Sequence, residues 1–268
     1  MIEDVLPPRQ EEMILRSFFT GMFALHRNLS RKSRNAEGIG LLKWCRYYLG
    51  RHLVKPPSKM HKRLCELLDM SRSHGGLKIN ILAPRGAAKS TLGTLGFPLR
   101  EAIECREPYI WIISDTMSQA HSHLENIKSE LQDNRTLALR YPDAAGKGPV
   151  WRGGSILMNN GVMIEAFGTG QGLRGRRLKQ YRPTLIVCDD LQNDNHILSS
   201  YARDKSRSWF HGTLLKAGNS DTTVLNLATA LHTDAIAVEL HGKPGWISER
   251  FQAIEQWPDN MSLWEKWE

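Results

Sequence analysis

Lys78-Ile79-Asn80-Ile81-Leu82-Ala83-Pro84-Arg85-Gly86-Ala87-Ala88-Lys89-Ser90-Thr91 reads as a strand that runs into a loop and then a helix. Ile79, Ile81 and Leu82 form a short β-prone run, a small turn-prone segment follows, and Lys-Ser-Thr opens a helical pattern. Such a layout holds phosphates, because loop N–H groups and the start of the helix point at the anion. In this reading Lys89 reaches the β- and γ-phosphates of a nucleotide and the Ser90 hydroxyl meets Mg²⁺. Arg85, Gly86, Ala87, Ala88 and Thr91 complete the cradle. Against the pattern G-x-x-x-x-G-K-[ST], Ala83 and Ala88 stand where glycines are expected, and a glycine falls at Gly86. Alanine adds only a methyl group but takes φ > 0 less cheaply than glycine. A plain strand–turn–helix with an exposed lysine is the alternative.

A second stretch weighs against that alternative. Thr184-Leu185-Ile186-Val187-Cys188-Asp189-Asp190 places four apolar residues ahead of two acids, the pattern of a buried parallel strand that delivers carboxylates at its C-terminal end. Asp189 would hold the shell of a Mg²⁺ ion, and Asp190 would polarise an attacking water. A phosphate loop followed by such an acidic strand points to a nucleotide triphosphatase.

Composition sets the frame. The 268 residues are 41% hydrophobic and carry a formal net charge of +8, which suits a globular protein and favours an anionic partner such as nucleic acid. Cys45, Cys65, Cys105 and Cys188 lie far apart and read as reduced thiols, with no zinc spacing. The N-terminal residues lack a basic region followed by an apolar core, so they do not read as a signal peptide. No apolar run reaches the roughly 18–20 residues of a membrane span.

Along the chain, Met13, Ile14, Phe18, Met22 and Leu25 give an amphipathic helix over 9–28, and Arg31-Lys32-Ser33-Arg34-Asn35 a basic linker. Helices are expected over 39–53, stopped by Pro56-Pro57, and over 58–70. A further helix over 90–105 would bend at Pro98. Tyr109–Ser114 is a buried strand. The helix over 116–132 has Ser114 or Asp115 available as its N-cap, and a short one follows over 134–140. The alternation over 155–166 around Asn159-Asn160-Gly161 marks a hairpin. Thr223–Ala228 is another strand, leading to Thr229-Ala230-Leu231-His232. Strands separated by helices argue for an α/β fold with a mainly parallel central sheet and ligands at the strand C-termini. The expected division is an N-terminal helical segment over 1–55, an ATPase domain over 56–250, and the start of a linker over 251–268.

The loop Gly168-Thr169-Gly170-Gln171-Gly172-Leu173-Arg174-Gly175-Arg176-Arg177 is glycine-rich and basic. Arg174, bracketed by Gly172 and Gly175, is the best candidate for an arginine finger, a role worth roughly 10³–10⁵ in rate. The same loop could instead grip nucleic-acid phosphates. Arg85 would lie near bound phosphates or a subunit boundary, or pair with a local acid. Thr229, at a strand end, would sense the γ-phosphate. His121 and His123, two apart on a helix, face different ways and make a poor metal pair.

Taken in order, the motifs resemble one family: the large terminase subunit, the DNA-packaging ATPase of tailed bacteriophages. The resemblance spans about residues 56–260. It is carried by Ala83 to Thr91, Gly172-Leu173-Arg174-Gly175, Arg182-Pro183-Thr184 through Asp190, and Thr229-Ala230-Leu231-His232-Thr233-Asp234. It implies an ASCE-type P-loop ATPase that hydrolyses ATP with Mg²⁺ and works as a homo-oligomeric ring on the portal protein. With a small terminase subunit it would drive double-stranded DNA into a procapsid in the host cell cytoplasm. By position, Lys89 and Ser90 match the Walker A residues, Asp189 the Mg²⁺-linked acid, Asp190 the catalytic acid, and Thr229 to His232 the coupling motif. The segment from Pro56 to Leu68 sits where the family often contacts adenine.

Two departures stand out. The catalytic acid is often Glu in the family and is the shorter Asp190 here. Family members usually continue into a nuclease domain, whereas no cluster of nuclease carboxylates is visible before Glu268. A truncated ATPase domain or a nuclease on a separate chain would account for that. Other readings are a helicase-like DNA-dependent ATPase and a non-catalytic DNA- or protein-binding module with a degenerate phosphate loop.

Overall fold

Runs in which every residue is apolar, such as those at 109–113 and 185–188, belong where a strand is covered on both faces. Our structure, a computed structural model, describes residues 39–254, 256–257 and 259–266 and places these runs at the centre of an eight-stranded mixed sheet flanked by helices. The strands are β1 (Lys78–Leu82), β2 (Tyr109–Ser114), β3 (Val150–Trp151), β4 (Ser155–Leu157), β5 (Met163–Gly168), β6 (Leu185–Asp189), β7 (Thr223–Ala228) and β8 (Ile247–Arg250). Their spatial order is β3-β4-β5-β2-β6-β7-β1-β8. The six from β5 to β8 run parallel, and β4 and β3 add an antiparallel edge through the hairpin at Asn159-Asn160-Gly161. The helix expected at 9–28 and the basic stretch at Arg31–Asn35 lie outside the described residues.

The helices are α1 (Leu41–Tyr48), α2 (Lys59–Ser73), α3 (Phe97–Ile103), α4 (Met117–Asp133), α5 (Arg135–Arg140), α6 (Asp194–Ile197), α7 (Ser200–Trp209), α8 (Leu215–Ala217), α9 (Ile236–Leu240) and α10 (Ser262–Glu265). Alternate residues of the strands feed two cores. Ile79, Ile81, Ile110, Ile112, Val187 and Leu227 pack with the side of α1–α4. Tyr109, Trp111, Ile113, Ile186, Cys188 and Val224 pack with α9 and with the helical turns that follow α7. Among the described residues no helix is long and apolar enough to cross a membrane. The four cysteines are free, and burial pushes the Cys45 thiol up to about 12 and the Cys105 thiol to about 11, so both stay protonated.

Two expectations are corrected. The N-cap of α4 is Thr116, whose hydroxyl accepts from Gln119 N–H, because β2 holds Ser114 in the sheet. The helix after the loop that follows β1 is irregular upstream of Pro98 rather than at it. Residues Thr91–Gly96 form a wide π-helical turn, closed by Phe97 N–H on the Leu92 carbonyl, and α3 starts immediately after. In an unbroken α-helix the Pro98 ring would crowd the Thr94 carbonyl and leave it unbonded; the wider turn relieves that contact.

A buried ionic network braces this helix. Arg72 of α2 pairs with Glu101 at 2.8 Å and with Glu104, which also takes Arg100 at 3.1 Å and Arg106 at 2.9 Å. Burial works to raise the Glu104 pKa, but the three arginines together hold it below the ordinary carboxylate value of 4.5. A carboxylate depressed in the folded state stabilises the fold above its unfolded pKa and loses that contribution as pH falls through the folded value. We expect Glu104→Gln to cost about 3 kcal/mol in urea unfolding at neutral pH, with the gap from wild type closing below pH 4.5. A gap that does not change with pH would contradict the network.

Candidate functional site

The last carbonyls of β7 align three chain segments. Leu227 is in register with Ile81 of β1 on one side and Asp189 of β6 on the other. Beyond the paired strands, Ala83 N–H donates to the Ala228 carbonyl at 3.0 Å and Asp190 N–H to the Leu227 carbonyl at 2.9 Å. The loop after β1, the acids after β6 and Thr229 therefore emerge level at the C-terminal edge of the sheet.

There Lys89 is buried, and a buried ammonium needs partners. Its Nζ donates to Thr229 Oγ1 at 3.1 Å and lies 3.3 Å from Asp190 Oδ2. Asp190 uses its other oxygen, Oδ1, to accept Thr229 N–H at 3.1 Å. Three residues from distant parts of the sequence thus form one closed cluster. Asp190 adopts φ 45°, a left-handed conformation that turns the chain off the strand.

The preceding loop folds as a tight turn, with Gly86 at φ 76° and Ala88 at φ 53°. The two alanines that stand in for glycines differ in consequence. Ala83 continues the sheet hydrogen bonding and has no positive φ, so its methyl is harmless. Ala88 carries the left-handed strain. α2 supports the loop: Ser58 caps that helix in a reciprocal pair with His61, whose Nδ1 accepts from Ser58 N–H, leaving Nε2 to donate to the Ala87 carbonyl at 2.8 Å. Between this helix, the loop and Phe251 runs a cleft of about 640 Å³ with Leu53, Pro56 and Pro57 on its apolar wall. That size and lining suit a small organic ligand.

Asp189 is fully buried and unevenly bonded. Oδ2 accepts from Thr94 Oγ1 at 2.7 Å, with His123 Nε2 3.4 Å away, while Oδ1 has no hydrogen-bond partner. An unpaired buried carboxylate oxygen costs at least about 1–3 kcal/mol, a cost that a bound ion or water at Oδ1 would relieve. The donor set fits a magnesium ion, which takes one or two carboxylates and keeps several waters. Asp189 Oδ1 and the Ser90 hydroxyl are the oxygens that would hold it. Among the described residues no group of three or more His, Cys, Asp or Glu is placed to hold a metal alone.

The arginines stand outside the Lys89 cluster. Arg85 is exposed on the rim of the cleft beside the loop and faces Asp194 at 3.9 Å, a separation worth little in water. Arg174 lines a second cleft of about 320 Å³ with Arg176, Arg177, Arg182 and Lys216. This cleft shares no residue with the one beside the loop. Leu173 packs with Phe210 and Leu214 in the core on the other side of the sheet, which carries the basic loop away from Lys89. Thr94 escaped the sequence reading, and His123 entered it only as half of a poor metal pair. Thr94 does have a signal, since it follows Ser90 by four residues, the spacing of one helix face.

No protein-family model matches this chain, and a search of the curated proteins finds no match.

The strain at Ala88 can be measured. Because a left-handed non-glycine residue costs roughly 1–2 kcal/mol, Ala88→Gly should raise the thermal midpoint by about 2–4 °C. An unchanged or lowered midpoint would mean that the loop does not hold Ala88 in this conformation.

Proposed function

We propose that this chain is the ATP-hydrolysing motor domain of a viral terminase large subunit, driving double-stranded DNA into a procapsid. One observation carries the reading: Lys89, Asp190 and Thr229 close into a single cluster at the C-terminal edge of a parallel sheet. Strand order supports it, because β7 lies between the strand that feeds the loop and the strand that ends in the acids. The net charge of +8 and the basic cleft around Arg174 suit a DNA partner.

In this mechanism the loop N–H groups of Gly86 to Ser90 and the Lys89 ammonium take the phosphates of ATP, with the base in the cleft walled by Pro56 and Pro57. Lys89 then leaves Asp190, since its ammonium turns to the β- and γ-oxygens. The freed Asp190 carboxylate orients the attacking water and accepts its proton. Mg²⁺, held by Asp189 and Ser90, would neutralise charge on the phosphate oxygens. Asp190 Oδ1 also holds Thr229 N–H, so any change at the acid is felt directly by Thr229-Ala230-Leu231-His232. That contact gives hydrolysis a route to movement. Arg174, remote from this cluster, serves the site of the next subunit in a ring.

Steady-state ATP hydrolysis across protein concentrations tests the reading. Wild-type specific activity should rise with concentration. Lys89→Ala and Asp190→Asn should each lose about 10²-fold or more, and Arg174→Ala should remove the concentration dependence. DNA binding without any hydrolysis or ATP binding would establish the non-catalytic alternative.

A further inference from the structure

The fold treats the two oxygens of Asp189 differently, and one side chain is responsible. Thr94, itself fully buried, donates its hydroxyl to Oδ2 at 2.7 Å and leaves Oδ1 bare. We propose that Thr94 is a positioning residue: by anchoring Oδ2 it keeps Oδ1 turned toward a divalent cation and so sets the affinity for that cation. The inference rests on the ATPase reading, in which Asp189 serves Mg²⁺, and assigns a new residue to it.

The helix is built to bring Thr94 this close. Gly93 lies against β7, where a Cβ would come within 2.5 Å of Leu227 Cδ1 and 3.3 Å of Leu225 Cδ2. A side chain at 93 would force the Leu227 side chain to move, disturbing the close packing that places Thr94 against Asp189. The wide turn over Thr91–Gly96 sets the rotation of residue 94 as well, and Pro98 enforces that turn. His123 approaches the same oxygen from α4 but at 3.4 Å without a hydrogen bond, so Thr94 is the only donor fixing the carboxylate among the described residues.

Thr94→Val keeps the shape and removes the hydroxyl, whereas Thr94→Ser keeps the hydroxyl and removes the methyl. Mn²⁺ binding to the protein loaded with a non-hydrolysable ATP analogue, followed by electron paramagnetic resonance, reads the cation directly. Metal-free binding of the analogue is measured alongside. The loss of such a supporting hydrogen bond typically weakens metal binding about 10–100-fold. We expect that loss in Thr94→Val, near-wild-type Mn²⁺ affinity in Thr94→Ser, and metal-free analogue affinity unchanged in both. If Thr94→Val does not fold, Thr94→Ala supplies the hydroxyl-free case. Wild-type Mn²⁺ affinity in a hydroxyl-free variant would overturn the proposal, as would a serine variant as weak as valine, which would make the methyl packing decisive. A wild type that binds the analogue but no Mn²⁺ would also overturn it. Failure of the wild type to bind the analogue at all would instead remove the ATPase reading and this inference with it.

Discussion

A lysine ammonium removed from water has to be neutralised, and the way Lys89 meets that requirement orders the C-terminal edge of the sheet. Its partners, Asp190 and Thr229, come from segments about a hundred and a hundred and forty residues further along the chain. They arrive together because Leu227 is in register with Ile81 and Asp189 at once. A shift of one residue in that register would turn the side chains of β7 to the opposite face and move Thr229 off the lysine. The ion pair is therefore a consequence of strand pairing, and the proposed function gives it a chemical use. The charges that satisfy each other here are those an incoming phosphate would separate.

Close packing of the helix beneath the loop is the second requirement. Gly93 and Gly96 admit Leu227 and Cys45 to distances that a Cβ would forbid. Arg72, Arg100 and Arg106 around Glu104 fasten α3 from the other side. Such a network contributes little net stability against an apolar substitute, yet removing one member leaves a charge stranded. The helix that carries Lys89 and Thr94 is thereby held at both ends of its path.

Much of this was legible in the sequence. The runs Tyr109–Ser114 and Thr223–Ala228 are strands with those same bounds, because stretches dominated by apolar and β-branched residues have one good destination in an α/β fold. The Asn-Gly turn gave the hairpin. β3 and β8 were not legible: the first is two residues long, and β8 (Ile-Ser-Glu-Arg) is an edge strand with one apolar residue. Lys89, Asp190 and Thr229, which the structure brings into one cluster, were each singled out in the sequence, the last two because polar residues there follow the ends of apolar strands. Spacing could not show which side of the sheet would receive Arg174, since that follows from Leu173 joining the core beside Phe210. It could not separate Ala83 from Ala88 either, because only the backbone conformation decides which methyl is strained.

In the proposed function the buried Lys89 cluster is a receptor for the phosphates of ATP. Titration calorimetry of wild type and Lys89→Ala with a non-hydrolysable ATP analogue, with and without Mg²⁺, tests that claim most directly. The wild type should bind the analogue, tighter with Mg²⁺ present, and Lys89→Ala should weaken binding by tenfold or more, equivalent to about 1.4 kcal/mol. Binding that is absent in the wild type, or equal in the two proteins, would contradict it.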